Sequence, residues 1–152
     1  MCIRRLISDG LELELFIVGE GFLKDSIINI IETNELQDSV ILTGFLDNPY
    51  PLLASADIYV CSSIAEGLNT AISEALVLGR PVISTECSGT SELLGDSQFG
   101  LVVLNDENSL YKGLRELLSE PVLRQRLSDA AFTRGLEFSI TKPMETIYRL
   151  IA

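Results

Sequence analysis

The 152-residue sequence contains no histidine, which removes the commonest general base and the commonest metal ligand together. Its three cysteines, Cys2, Cys61 and Cys87, are odd in number and show no Cys-x-x-Cys spacing, so neither a disulfide framework nor a zinc motif is expected. All three read as reduced, with Cys61 a core residue. No apolar run approaches the ~20 residues that cross a bilayer, and the opening MCIRRLISDGLELEL lacks the continuous apolar segment of a secretory signal. Cytoplasmic residence is the default expectation. Basic residues are few: 11 Lys and Arg against 22 Asp and Glu give a net charge of −11. Affinity for a nucleic-acid backbone comes largely from Lys and Arg that displace counterions, so nucleic acid is an unsuitable partner. Between Lys24 and Arg80 there is neither Lys nor Arg, and a phosphate bound by that segment must find its positive partners elsewhere.

Repeats, low-complexity tracts and linkers are absent too, and 47% hydrophobic residues over this length suit one ordinary core, a single domain over residues 1–152. Short apolar blocks bounded by turn residues recur at 13–18, 40–42, 58–61, 81–84 and 101–104, each reading as a buried parallel strand. Helical patterns alternate with them. Residues 23–35 carry Leu23, Ile27, Ile28 and Ile31 on one face, 71–78 form a helix stopped by Gly79 and Pro81, and 108–118 carry Leu110, Leu114 and Leu117. The last third is helical in pattern, with Leu123, Leu127 and Ala131, then Ile147, Leu150 and Ile151 in search of a surface. Such alternation predicts an α/β domain with an open parallel sheet flanked by helices. Residues 1–9 read as the end of a helix entering the first strand, an arrangement in which a preceding strand is expected.

In an open α/β sheet, ligands bind outside the carboxyl ends of the strands. Four segments fall there. Gly19-Glu20-Gly21 permits a tight turn and close backbone approach, although the third glycine of a dinucleotide fingerprint is replaced by Lys24 and a plain strand-to-helix turn fits equally. Thr43-Gly44-Phe45-Leu46 could admit a flat ring at Gly44 against Phe45, but Phe45 reads first as an ordinary core residue. In Glu66-Gly67-Leu68-Asn69-Thr70 a carboxylate precedes two residues suited to capping a helix, whose unpaired first-turn amides are an anion site. Read as structure alone, Asn69 or Thr70 caps the helix and Glu66 favours its positive end. Glu74 lies roughly 12 Å along that helix from Glu66 at ~1.5 Å per residue, in reach of an elongated ligand, although a glutamate there also suits a solvated face. Ser88-Gly89-Thr90-Ser91-Glu92 repeats the pattern, with Ser88 or Thr90 as a cap or its amides part of the same anion site.

Together these segments resemble the C-terminal, donor-binding half of family 4 retaining glycosyltransferases of the GT-B fold. The similarity runs from Leu13 to about Leu118 and rests on IVGEG at 17–21, VILTGFLDNPYPLLASAD at 40–57, the Glu-x7-Glu pair from Glu66 to Glu74, ALVLGRPVIST, SGTSELL and GLVV, all in the family's order. It implies a three-layer Rossmann-like domain, one half of a GT-B fold, lacking its first strand and loop. It implies that Glu66, the catalytic candidate, contacts the transferred sugar, that Gly67, Leu68, Asn69 and Thr70 hold sugar or diphosphate, and that Glu74 binds the nucleotide ribose. Phe45 and Leu46 fall near the base, and Gly19 and Gly21 near the diphosphate.

The resemblance further implies a nucleotide-sugar donor, UDP-linked by family habit, metal-independent transfer with retention and no cofactor, in polysaccharide or glycoconjugate biosynthesis. The sequence accordingly has neither Asp-x-Asp nor a histidine base. The expected partner is an N-terminal acceptor-binding domain, on the same product or as a separate subunit, with membrane association only through that partner. The family's cationic loop for the leaving diphosphate has no counterpart here, since Arg4 and Arg5 stand too late, so the polypeptide alone is expected to transfer little or no sugar. The alternative is a non-catalytic remnant or interaction module of the same origin. A nucleotide-sugar epimerase of similar fold ranks below both, for want of acid and base groups.

Overall fold

The computed structural model describes residues 1–65, 67 and 69–138. The apolar segment holding Ile147, Leu150 and Ile151 lies outside the described residues. The chain divides into two compact units, Met1–Pro51 and Leu52–Ala152. It is an α/β protein whose strands all run parallel to their neighbours, in a two-stranded sheet of order β1-β2 and a three-stranded sheet of order β3-β4-β5. Among the described residues no helix is long and apolar enough to cross a membrane.

The first unit opens with α1 (Cys2–Ser8), followed by β1 (Leu15–Val18), α2 (Lys24–Thr33) and β2 (Val40–Gly44). Side chains alternate across a strand, so Leu15, Ile17, Val40 and Leu42 join Ile31 and Leu36 in one small cluster with Ile3, Ile7 and Ile27 of the helices. Phe16 and Val18 stand on the opposite side of β1 and stay exposed. The broad apolar stripe expected of residues 23–35 is corrected: Ile27 and Ile31 turn inward, whereas Leu23 and Ile28 are exposed. A helix lying on two strands meets only enough surface to cover a narrow stripe.

The second unit contains β3 (Tyr59–Cys61), α4 (Thr70–Val77), β4 (Val82–Thr85), α5 (Thr90–Leu94), β5 (Leu101–Val103), α6 (Glu107–Ser119) and α7 (Pro121–Gly135), with a 3-10 turn at Leu136–Phe138. Helix α3 (Tyr50–Ser55) carries the division between the units. β4 is buried along its whole length. One of its faces packs with Cys61 of β3, Ile72, Ala75 and Leu76 of α4, Leu93 and Leu94 of α5 and Ala131 of α7. The other meets α6, where a Cβ on Gly113 would come within 2.7 Å of Ile83 Cδ1 and 3.0 Å of Val103 Cγ1. Helices thus cover both faces of this sheet.

Helix ends follow local chemistry. Asp106 caps α6, its carboxylate accepting from the Ser109 amide at 2.9 Å and the Ser109 hydroxyl at 2.7 Å, bonds that hold its carboxyl below the usual aspartate range. α4 stops at Gly79, whose left-handed backbone (φ +63°) lets its own amide reach the Leu76 carbonyl and the Arg80 amide reach Ala75. Arg134 of α7 donates to the Glu92 and Leu93 carbonyls at 2.7 and 3.2 Å, while its guanidinium lies over Phe99 and Phe138. That contact ties the end of α5 to α7. All three cysteines are free thiols, and Cys61 is buried, as the sequence predicts.

Candidate functional site

The carboxyl end of β3 leads through residues 62–69 into α4, and the carboxyl end of β4 leads through 86–89 into α5. Of the residues singled out in the first connection, Glu66 and Leu68 lie outside the described residues. Gly67 is exposed. Asn69, not Thr70, is the N-cap: its Oδ1 accepts from the Ile72 amide at 3.1 Å, and its Nδ2 donates to Cys61 Sγ at 3.3 Å. With Ile72 satisfied by the cap, Thr70 and Ala71 carry the first-turn amides that precede the helix's own hydrogen-bond ladder. Glu74 is half-buried, one turn into α4 from Thr70; the fully solvated face that a glutamate there suggests is not where it sits.

The two connections touch. The Thr85 hydroxyl, at the end of β4 and only 3% exposed, donates to the Ser63 carbonyl at 2.8 Å. Gly89 adopts φ +85°, and a Cβ there would overlap the Gly67 carbonyl oxygen. Gly89 is itself the N-cap of α5, with no side-chain cap bond, which corrects the expectation of Ser88 or Thr90 in that role. The Thr90 hydroxyl instead lies 2.9 Å from Cys87 Sγ.

In the first unit, Gly19 and Gly21 flank Glu20 at the end of β1, beside a concavity of about 170 Å³ whose lining includes Gly44, Leu42, Leu23 and Lys24. Glu20 accepts from Lys24 Nζ at 3.0 and 3.2 Å. A Cβ on Gly44 would stand 2.8 Å from Glu20 Oε1, so the bare glycine is what lets that carboxylate lie over the end of β2. Phe45 is 72% exposed, which corrects its reading as core; Leu46 is half-buried. An apolar side chain need not be interior, and one at the mouth of a strand end is available to a ligand. Among the described residues no group of three Cys, Asp or Glu is placed to hold a metal ion.

Comparison with known proteins identifies the lineage. The family model described as glycosyl transferases group 1 matches residues 2–120. The chain belongs to that family. A curated relative, N-acetylgalactosamine-N,N'-diacetylbacillosaminyl-diphospho-undecaprenol 4-alpha-N-acetylgalactosaminyltransferase of Campylobacter jejuni, is 37% identical over 133 residues, which is 86% of this chain and 36% of that protein. An uncharacterised glycosyltransferase of Methanocaldococcus jannaschii is 35% identical over 113 residues, 74% of this chain and 27% of its own length. The group 1 chain thus spans about a third of the length of these relatives.

Among solved structures, a point mutant of Staphylococcus aureus TarM, crystallised with Fondaparinux, alpha-GlcNAc-glycerol and UDP, superposes with a TM-score of 0.85 at 25% identity, over 97% of this chain and 30% of TarM. The pneumococcal O-GlcNAc transferase GtfA, crystallised with UDP and GlcNAc, gives 0.88 at 18% identity, over 99% and 31%. The fold is one half of a GT-B glycosyltransferase.

Proposed function

We propose that this chain is the donor-binding part of a retaining, metal-independent family 4 glycosyltransferase, taking its sugar from a nucleotide diphosphate, UDP foremost, in polysaccharide or glycoconjugate assembly. The observation that carries the reading is the start of α4: a helix capped by Asn69, whose Thr70 and Ala71 amides precede its own hydrogen-bond ladder, immediately after a strand end and between the sequence positions of Glu66 and Glu74. A helix N-terminus suits a phosphate, and carboxylates suit sugar hydroxyls. The group 1 membership and the UDP in the TarM and GtfA crystals support the choice of ligand.

In this reading Glu66 contacts the transferred sugar as the catalytic residue, 67–70 hold sugar or diphosphate, and Glu74 accepts from the ribose hydroxyls. Gly19 and Gly21 approach the diphosphate, and Phe45 and Leu46 the base. As the bond from the anomeric carbon to the phosphate oxygen breaks, charge gathers on the leaving diphosphate, and the α4 amides are pre-aligned to meet it. No cofactor is required. An N-terminal acceptor-binding domain, in the same product or as a separate subunit, supplies the other wall of the site and binds the acceptor, and the protein works in the cytoplasm. On this reading the 152 residues alone are expected to transfer little or no sugar.

Ligand-observed NMR of the purified chain with UDP, GDP and ADP tests the proposal. UDP binding is expected, weakened roughly tenfold to a hundredfold by Glu74→Ala, the equivalent of ~1.5–3 kcal/mol for a charged hydrogen bond. A folded chain that binds none of the three nucleotides refutes it in favour of a non-catalytic module.

A further inference from the structure

The geometry points to Thr85 and Gly89 as positioning residues for the connection that carries Glu66, a role that rests on the donor-site reading above. The 62–69 connection is fastened at its far end by Asn69, whose side chain joins α4 to Cys61 Sγ. Two further contacts, nearer its middle, come from the neighbouring strand and the turn that follows it. Thr85 ends a strand buried throughout, where a valine would fill the same volume. The hydroxyl is held there by its bond to the Ser63 carbonyl at 2.8 Å. A buried hydroxyl without a partner is costly, so the bond locks Thr85 and Ser63 to each other.

Gly89 acts by absence. Its α-carbon closes on the Gly67 carbonyl so tightly that any side chain would displace one connection from the other. Backbone cannot yield as the end of a flexible side chain can. The Gly89 side of this contact is anchored in turn, since α5 is tied to α7 by Arg134. Ser63 and Gly67 bracket position 66 in the sequence, so a connection that slides at either anchor carries that position with it. Neither Thr85 nor Gly89 needs to touch the donor. They set where the groups that do touch it are held, and an active site is intolerant of ångström-scale displacement.

The test is a glycine-selective 15N spectrum of the full chain, with UDP as the probe. Thr85→Val should shift the Gly67 amide signal while the core signals of Gly113 and Gly135 hold, and should weaken UDP binding about tenfold. Thr85→Ser, which keeps the donor, should restore both. Gly89→Ala perturbs the same connection from its other anchor and should reproduce both changes, which keeps the inference testable if the valine variant does not fold. A Gly67 signal and a UDP affinity unchanged in Thr85→Val overturn the inference, and so does a shifted Gly67 signal with unchanged affinity. Failure of the unaltered chain to bind UDP at all is a different result: it removes the donor-site reading and this inference with it.

Discussion

Asn69 offers a perturbation in which stability and ligand binding should move in different orders. Its Oδ1 satisfies the Ile72 amide and its Nδ2 reaches Cys61 Sγ. Asn69→Ala deletes both bonds; loss of an N-cap costs about 1 kcal/mol, and a sulfur acceptor adds little. α4 is too short to persist by itself and is held by the packing of Ile72, Ala75 and Leu76, so the first turn frays and the fold survives. Asn69→Asp keeps the cap acceptor and places a negative charge at the positive end of the helix, worth ~0.3–1 kcal/mol. That offsets the lost Nδ2 bond. Stability measured by urea unfolding should therefore run wild type and Asp together, with Ala below them by about 1 kcal/mol.

For the anion the order changes. A carboxylate ~6 Å from one phosphate charge, at an effective dielectric of ~40, repels it by about 1.4 kcal/mol, a tenfold loss of affinity. The alanine variant adds no charge and loses only what fraying takes, about threefold for ~0.6 kcal/mol. UDP affinity by NMR titration should then run wild type, Ala, Asp, and the gap between Asp and wild type should narrow with added salt. An Asp variant that binds UDP as tightly as the wild type refutes an anion seat at the start of α4, whatever the stability data show.

Two other expectations concern the framework that carries this site. Gly135→Ala would put a Cβ 2.5 Å from the Leu76 carbonyl oxygen and 2.6 Å from Val77 Cα; these are backbone atoms, so α7 must back away from α4, and urea unfolding should show a loss of ~1–3 kcal/mol, with an unchanged midpoint contradicting the close approach. The lowered carboxyl of Asp106 gives a pH signature: a carboxylate depressed in the folded state adds stability above its unfolded value and loses it as pH falls through the folded one. Asp106→Asn, which keeps a capping oxygen, should therefore be less stable than wild type at neutral pH, and the difference should close on acidification below the ordinary aspartate range. A difference independent of pH would show that the charge contributes nothing.

The strands and most helices are legible in the sequence because their signals are local. The runs at 58–61 and 81–84 are apolar for most of their length, as strands covered on both faces are, and Gly79 with Pro81 marks the end of α4. The start of α4 is legible for the same reason, down to Asn69 as one of two capping candidates. Helix α3 is not, although Asn48, whose Oδ1 accepts from the Tyr50 amide at 3.2 Å, and Pro51 in the first turn are recognisable start signals. Two prolines around a tyrosine read more simply as loop.

Phe45 departs from its expected place for a different reason. Hydrophobicity states a preference for burial, but the chain path past Gly44 decides whether any neighbour is there to provide it. The contacts from Thr85 to Ser63 and from Gly89 to Gly67 each join residues 22 positions apart in sequence. No periodicity or spacing encodes such a pairing, since it exists only when β3 and β4 lie side by side in register, Cys61 opposite Ser84. The residue types at both ends look ordinary in isolation: a threonine in a strand, a glycine in a turn. What they do follows from parallel neighbours delivering their carboxyl ends to the same edge of the sheet, which brings the connection leading into α4 against the one leading into α5. The strand pairing that builds the core is therefore also what lets one connection fix the position of the other.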